Sequence, residues 1–361
     1  MDVREFDFNL PPELVAQEPI ADRLAARLLS VNREHQSLTH THVTALPDLL
    51  RAGDLIVVNN TRVFPARLLG RRVPSGGAVE CLLVRKVSDT SEVSEVSEYS
   101  GTSFCYEALM HPGQKLHPGA RVVFDGLHTI HGEVVEQKFF GRRIIRLWTE
   151  DGTTLDAAID AIGHVPLPPY IKRADRTGDH ERYQTVYARE RGSIAAPTAG
   201  LHFTPTLIAA LNDRGVAMTE ITLHVGYGTF QPVRVDRVED HTIEAEHYEI
   251  TDVAADAINR ALTDGRRVIA VGTTTTRTLE AVAQANDGRI VAGRGTTALF
   301  IYPGFRFRVI GGLLTNFHMP KSSLLMLVAA FGGHALIKSA YDAAVAQRYR
   351  FYSYGDAMLI L

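Results

Sequence analysis

Five segments of the chain concentrate the residue types that could carry chemistry. They combine glycine, proline, threonine and histidine beside apolar runs, and they read IGHVPLPPYIKR, AAPTAGLHF, LHVGYGTFQPV, GTTTTRTLE and LLTNFHMPKSSLLMLV. A scaffold of strands and helices commonly places its binding groups on loops of this composition. The alternative for any one segment is a set of tight turns that only serve packing. We therefore expect the site among these five segments.

Three histidines in these segments are candidates for proton transfer. His224 ends a strand-like run and is followed by two glycines that permit a close ligand approach, whereas His202 and His318 each adjoin a phenylalanine that could cover a base. An imidazole can accept or donate a proton near neutral pH. A histidine at the end of a strand is more often a hydrogen-bonded structural group, so both interpretations stay open.

The segment GTTTTRTLE has the pattern of an anion-binding turn. It follows the apolar run RRVIAV and opens a helix, so backbone amides and the positive helix end could meet a negative group. The spacing matches neither standard nucleotide fingerprint, and an ordinary helix start is the alternative. Across the five segments, the predicted substrate-binding residues are Thr198, Gly200, Gly226, Gly228, Thr229, Gly272, Thr273, Thr274, Arg277, Asn316 and Lys321.

Two short basic stretches are candidates for RNA contacts. Lys172 and Arg173 follow Tyr170, and Arg306 and Arg308 alternate with phenylalanines. Such interleaving suits phosphate contacts combined with base stacking, although short basic pairs are also common on any surface. No metal site is predicted, because no histidine, cysteine and carboxylate set has ligand spacing.

The elements that must position these residues fall into two regions. Seven short apolar runs, from DLIVVN to RRIIRLW, predict a compact antiparallel β-barrel over residues 56–150. Alternating helix and strand patterns predict an α/β main domain from residues 1–55 and 151–361, into which the barrel is inserted. A serine- and glutamate-rich tract at about 88–103 predicts a disordered hairpin tip. A symmetric hairpin about that tract would bring Cys81 and Cys105 close together.

Bulk composition sets the broad class of protein. The 361 residues are 45% hydrophobic and 22% charged, with a net charge of −3, so an RNA partner would need a local basic surface. No apolar run reaches the roughly 18 residues that a membrane span needs. Two cysteines are too few for a disulfide framework. A cytoplasmic protein without membrane contact is therefore expected.

Several long segments resemble one enzyme family. They include FDFNLPPELVAQEPIADRLAARLL, GDLIVVNNTRVFPARLLG, ERYQTVYARERGSIAAPTAGLHFT, LHVGYGTFQPVRV, VIAVGTTTTRTLE, LLTNFHMPKSSLLMLV and YRFYSYGDAML. The chain is similar along nearly its whole length to the S-adenosylmethionine:tRNA ribosyltransferase-isomerases of queuosine biosynthesis. The serine- and glutamate-rich tract is the clear departure from that family.

The resemblance implies a monomeric enzyme that uses S-adenosylmethionine as co-substrate and binds no permanent cofactor or metal. Its partner would be a tRNA carrying 7-aminomethyl-7-deazaguanine at the wobble position of the anticodon loop. The ribosyl group would be transferred and isomerised to give epoxyqueuosine, with release of adenine and methionine.

That reaction requires one acid and one base, because the aminomethyl group is protonated near neutrality and adenine leaves more readily when protonated. His202, His224 and His318 are the first candidates, with Glu246 and Glu280 as carboxylate alternatives. A methyltransferase is the competing enzyme, but the glycine-rich first turn typical of that class is missing. A non-catalytic RNA-binding barrel protein is the competing non-enzyme.

Overall fold

The computed structural model describes residues 1–87, 103–139, 141–226, 228 and 233–361. Its first half contains β1 (Arg27–Asn32), β2 (Ser37–His42), α1 (Leu46–Leu49), β3 (Leu55–Asn59), β4 (Thr61–Val63), β5 (Arg67–Val73), β6 (Ala78–Lys86), β7 (Phe104–His111), β8 (Arg121–Phe124), β9 (Ile130–Gln137) and β10 (Arg142–Thr149). Next come α2 (Leu155–Ile162), α3 (Asp179–Arg182), β11 (Glu190–Ser193), α4 (Pro205–Asp213), β12 (Ala217–Leu223), β13 (Glu246–Ile250) and α5 (Asp252–Thr263). The chain continues through β14 (Val268–Val271), α6 (Thr273–Ala285), β15 (Gly293–Thr297), β16 (Ile310–Asn316), α7 (Ser323–Gly332), α8 (His334–Ala346) and β17 (Ala357–Ile360). Short 3-10 turns join these elements, among them Thr198–His202.

A nine-stranded mixed sheet forms the centre of the larger region. Its order is β15-β13-β12-β3-β14-β16-β17-β1-β2, and the neighbours β12, β3, β14 and β16 run parallel to one another. Helices cover both faces of these strands. Leu55 and Val57 of β3 pack into the core beside α5, α6, α7 and α8, whereas Ile56 and Val58 pack into the core beside α1 and α4. The four parallel strands therefore end at one common edge of a buried sheet.

The smaller region is a closed barrel of six antiparallel strands in the order β10-β7-β6-β5-β8-β9. Alternate residues of each strand point inward, and Leu68, Cys81, Leu83 and Ile145 are among its fully buried side chains. Helix α2 packs onto this core through Leu155, Ala158 and Ile159. Closure removes the exposed strand edges that an open sheet would leave.

The predicted fold class, an α/β region with an inserted antiparallel barrel, is confirmed, with two corrections of detail. The run DLIVVN was assigned to the barrel, but it forms β3 between β12 and β14 of the large sheet. The barrel strands lie within residues 67–149. Cys81 pairs in register with Met110, so the expected approach of Cys81 to Cys105 is wrong.

The predicted disordered tract and the predicted domain division are not tested by the described structure. The tract at 88–103 lies almost wholly outside the described residues, although β6 and β7 on either side of it do pair as an antiparallel hairpin. The division into domains 1–55 with 151–361 and 56–150 stays a prediction.

Among the described helices, no single one is long and apolar enough to cross a membrane. The pair α7 and α8 reaches that length and composition only together, and it is bent by 116°.

Candidate active site

A cavity opens at the edge of the sheet where β14 and β16 end. Residues from six separate segments line it: Tyr170, Ala195 to Ala199, Val225, Gly272 to Thr274, Thr315 to Met319 with Ser322 and Leu324, and Tyr352 with Ser353. In parallel sheets, ligands bind outside the carboxyl ends of the strands, where successive loops converge. All five candidate segments from the sequence contribute to this one cavity, although LHVGYGTFQPV contributes only Val225 among the described residues.

Helix α6 presents its amino end to the cavity. Gly272 leaves β14 with a φ of 91°, a conformation that favours glycine, and no side chain caps the first turn. The hydroxyls of Thr275, Thr276 and Thr278 donate to carbonyls one turn back, whereas Thr273 and Thr274 line the cavity. Uncapped amides and the positive helix end favour a negative group at this position.

His318 lies on the cavity wall directly after β16. Its Nε2 is 2.8 Å from the Thr315 hydroxyl, and its backbone N–H donates to the Tyr341 hydroxyl. Burial lowers the pKa of His318 to about 3, so the imidazole is neutral at physiological pH. Its Nδ1 has no hydrogen-bond partner within the described part of the chain. This nitrogen can therefore meet a ligand.

Asn316 lines the same cavity and is held on three sides. Its amide nitrogen donates to the Tyr352 carbonyl at 2.9 Å, and its Oδ1 accepts from His202 Nε2 at 3.2 Å. His202 lies behind Asn316 and does not line the cavity. Burial lowers its pKa to about 4, and the bond to Asn316 opposes that effect. His202 is therefore placed to orient Asn316.

A buried ion pair fixes the segment that follows β12. Arg277 Nη1 and Glu246 Oε2 are 2.7 Å apart, with both side chains about 95% buried. The other carboxylate oxygen accepts from the Gly226 backbone N–H, and Arg277 Nε donates to the Leu299 carbonyl. Arg277 Nη2 is buried with no hydrogen-bond partner in the part of the chain that the structure describes. Because Arg277 is one helical turn beyond Thr273, this pair anchors Val225 and Gly226 beside the cavity.

His224 lies in a different groove. Its Nδ1 is 2.8 Å from the Thr61 hydroxyl, and its ring packs on Gly192, where an added Cβ would lie 2.7 Å from the ring. That groove is lined by Glu190, Thr222, His247, Tyr248, Glu249, Arg294, Gly295 and Thr296. Burial, followed by His247, lowers the pKa of His224. The three candidate histidines therefore do not form one cluster.

Two other candidates lie away from the cavity. The Glu280 carboxylate is fully buried and accepts from the backbone N–H groups of Arg308, Val309 and Ile310. Burial raises its pKa and those three bonds lower it, an arrangement that holds the loop before β16. Lys321 Nζ pairs with Asp7 at 2.9 Å. The geometry argues against a catalytic Glu280 and a ligand-binding Lys321.

The remaining glycine and threonine candidates have mixed positions. Thr198 lines the cavity. Gly200 lies against the Tyr187 hydroxyl, which a Cβ would approach to 2.2 Å, so its small size serves packing. Gly228 lies near Glu244. Thr229 is outside the described residues, so its predicted role stays a prediction.

The candidate RNA-binding residues also differ in their burial and in their distance from the cavity. Arg173 pairs with Asp179 and Glu18 and is largely buried, whereas Lys172 is exposed. Arg306 and Arg308 are exposed before the first residue of β16, about 20 Å of strand away from the cavity at its other end. Phe305 and Phe307 pack against the core and each other, so their rings are not free to stack on bases.

Sequence reasoning missed the aromatic wall of the cavity. Tyr170 and Tyr352 line it with ring centroids 4.6 Å apart, and Tyr170 is hydrogen-bonded to Ser353. The similarity of the segment YRFYSYGD to the family could have indicated a site residue there, but aromatic residues before a strand are equally typical of a core. Within the described residues, no group of three or more histidine, cysteine, aspartate or glutamate side chains could hold a metal ion.

The fold and cavity together define an α/β protein with an inserted six-stranded barrel and a ligand site at the carboxyl edge of its parallel strands. The chain matches the family described as queuosine biosynthesis protein over residues 3–360. It belongs to that family.

Curated relatives agree with this assignment. A protein of Desulfitobacterium hafniense named S-adenosylmethionine:tRNA ribosyltransferase-isomerase is 48% identical over 363 residues, with both chains fully covered. A protein of the same name from Moorella thermoacetica is 48% identical over 362 residues, again with full coverage of both. The crystal structure of an S-adenosylmethionine tRNA ribosyltransferase from Thermotoga maritima is 34% identical, with a TM-score of 0.54 over 99% of this chain and all of that one.

Proposed function

We propose that this protein transfers and isomerises the ribosyl group of S-adenosylmethionine onto 7-aminomethyl-7-deazaguanine at the wobble position of tRNA. The product is epoxyqueuosine in the tRNA, and adenine and methionine are released. The amine nitrogen loses a proton and bonds to the ribosyl carbon C4′, whose bond to the ring oxygen breaks, while the C–N bond to adenine breaks at C1′. The carbon next to sulfur loses a proton and bonds to C1′, and the former ring oxygen closes the epoxide on that carbon as the C–S bond breaks and methionine leaves. One of the two protons goes to adenine and the other is released. Full-length similarity to relatives of that name supports the reaction.

The observation that supports the position of the site is the cavity at the ends of β14 and β16. S-adenosylmethionine carries a carboxylate, a sulfonium and an adenine. The uncapped amino end of α6, with Gly272, Thr273 and Thr274, suits the carboxylate. The Tyr170 and Tyr352 rings suit a stacked purine or the sulfonium cation.

His318 is the proposed catalytic residue of the cavity. Its low pKa makes it a poor general base, because an imidazole with a pKa of about 3 is too weakly basic to take a proton from an ammonium group. A neutral imidazole can still present Nδ1 to adenine and stabilise the charge that develops as the C–N bond breaks. Asn316, oriented by His202, supplies a second polar contact. His224 opens on another groove and Glu246 is buried in its ion pair with Arg277, so the base that frees the amine is a group of the tRNA.

The family relationship also supports the finer assignments. S-adenosylmethionine is a co-substrate, no cofactor is permanently bound, and the tRNA enters through its anticodon loop. A monomeric cytoplasmic enzyme fits this reaction, because both substrates are soluble and one chain supplies the whole cavity.

The products released from S-adenosylmethionine test this function. The purified protein is incubated with the co-substrate and with tRNA that carries the aminomethyl base, and the supernatant is separated by liquid chromatography. Equal amounts of adenine and methionine are expected. S-adenosylhomocysteine would instead identify a methyltransferase, and tRNA binding without any product would identify a binding protein.

A further inference from the structure

Three half-buried arginines lie around His202 and form no salt bridge with a carboxylate among the described residues. They are Arg23, Arg182 and Arg350, and none of them takes part in a salt bridge in that part of the chain. Arg23 and Arg182 line one small pocket, and both Arg23 and Arg350 act electrostatically on His202. Burying positive charges without counter-ions costs free energy. An anion at this place would remove that cost.

The guanidinium groups keep donors available. Arg23 donates to the carbonyls of Leu201 and Gln184, and Arg182 donates to those of Ile20 and Ala21. Among the described residues, the Arg350 guanidinium donates through one nitrogen, to the Glu18 carbonyl, and Arg182 Nε is buried with no hydrogen-bond partner. Burial lowers the pKa of Arg23 and of Arg350.

The neighbouring carboxylates are occupied. Glu18 pairs with Arg173 at 2.9 Å and with Arg176 at 3.0 Å. Asp356 pairs with Arg27 at 3.2 Å and accepts from the Arg350 backbone. Asp356 opposes the effect of burial on the pKa of Arg350, but it is shared with Arg27, and neither carboxylate pairs with Arg23 or Arg182.

This cluster lies directly behind the proposed active site. Ser353 lines both the large cavity and the small pocket, and the hydrogen-bonded pair Asn316 and His202 separates the two. A chain that passes from the cavity over this wall would place an anion of its next unit near the arginines. A single-stranded nucleic acid has this repeating anionic form.

We propose that Arg23, Arg182 and Arg350 bind a backbone phosphate of the tRNA, next to the nucleotide held in the cavity. This inference rests on the proposed function, since it needs tRNA as the substrate. It moves the main RNA contact from Arg306 and Arg308, at the opposite edge of the sheet, to the edge that carries the cavity. Planar guanidinium groups suit phosphate oxygens through paired donors.

Salt-dependent binding of an anticodon stem-loop tests the proposal. Dissociation constants for a fluorescent stem-loop are measured by anisotropy between 50 and 300 mM KCl, about the range where phosphate contacts dominate, for the parent, R350Q, R350K and R33Q. Arg33 is a matched control: it is half-buried, its guanidinium donates to the Phe331 and Gly311 carbonyls, it forms no salt bridge among the described residues, and its pKa is also lowered by burial. Its acceptor Gly311 lies at the amino end of β16, away from the cavity.

R350Q should weaken stem-loop binding about tenfold and reduce the salt slope by about 0.7 to 1. R350K should recover most of the slope, R33Q should match the parent, and the affinity of all variants for S-adenosylmethionine should stay unchanged. Equal slopes for R350Q and R33Q, in a parent that binds, would overturn this inference alone. So would a selective loss of S-adenosylmethionine binding, which would assign the arginines to its carboxylate. A parent that neither binds the stem-loop nor forms product would overturn the proposed function as well.

Discussion

At the scale of single residues, His318 is the side chain whose surroundings differ most from those of an ordinary surface histidine. It is neutral, held by Thr315 and Tyr341, and exposes one ring nitrogen to the cavity. We expect His318→Asn to slow single-turnover product formation by about 100-fold, because a positioned polar contact to the leaving group is lost. Because the imidazole stays neutral above about pH 4, the ratio of the parent rate to the variant rate should be constant from pH 6 to 9.

His224→Asn provides the comparison, because His224 lies in a separate groove. Its turnover should stay near that of the parent. A larger loss for His224→Asn than for His318→Asn, with both proteins folded, would place the reaction in the other groove.

Gly272 carries a second prediction at this scale. An alanine there would adopt a φ of 91° and a ψ of 154°, a region that essentially only glycine occupies, at a cost of roughly 1–3 kcal/mol, and its Cβ would point between Thr274 and Ala199 of the cavity wall. We expect Gly272→Ala to weaken S-adenosylmethionine binding at least tenfold in calorimetry, about 1.4 kcal/mol. Gly265→Ala, at a φ of 66° in open space, should lose similar stability without losing affinity. Equal affinities for both variants would contradict the assigned position of the ligand.

At the scale of elements, the pair of Arg277 and Glu246 joins α6 to β13 and to the segment after β12. We expect Arg277→Leu to lower the free energy of unfolding by about 3–5 kcal/mol, because it leaves a buried carboxylate without its counter-ion. The double variant with Glu246→Leu should be more stable than Arg277→Leu alone. Urea unfolding of the two single variants and the double variant measures this coupling. Strictly additive losses would show that the two side chains act independently.

The sequence predicted local patterns better than the arrangement of elements. Gly272 and the start of α6 were identified because a strand, a glycine and a helix start are adjacent in the chain. Arg306 and Arg308 were predicted to contact RNA because they alternate with phenylalanines, and the sequence does not show that they precede β16 at the edge opposite the cavity. The run in β3 was placed in the barrel, although its continuous apolar residues, rather than alternating ones, are typical of a strand buried on both faces.

The sequence also could not predict contacts between side chains that are far apart in the chain. His202 meets Asn316, and His224 meets Thr61, across separations of more than one hundred residues. The three histidines had similar local sequences, so only the fold could assign them to three different places. Tyr352 was missed for the same reason, because its contact with Tyr170 joins two distant segments.

At the scale of the whole molecule, the buried histidines predict how stability depends on pH. The pKa values of His202 and His318 fall to about 4 and about 3, below the unfolded value near 6.5. The unfolded chain therefore binds more protons, and the stability these groups confer is present above pH 6.5 and lost as the pH falls. Between pH 6.5 and 5, each should reduce the free energy of unfolding by roughly 2 kcal/mol.

Unfolding in urea at a series of pH values measures this effect. His202→Gln should flatten the dependence between pH 6.5 and 5, whereas the exposed His180→Gln should leave it as in the parent. An unchanged slope for His202→Gln would show that His202 is accessible to protons in the folded protein.

The central claim concerns the chemistry of the whole enzyme, and mass spectrometry of the modified tRNA tests it most directly. The tRNA carrying the aminomethyl base is incubated with the protein and S-adenosylmethionine, digested to nucleosides, and the wobble nucleoside is analysed. We predict that this nucleoside gains the epoxycyclopentanediol group, and that the amount of modified nucleoside equals the amount of adenine released. A wobble nucleoside of unchanged mass, or one that has gained only a methyl group, would contradict it.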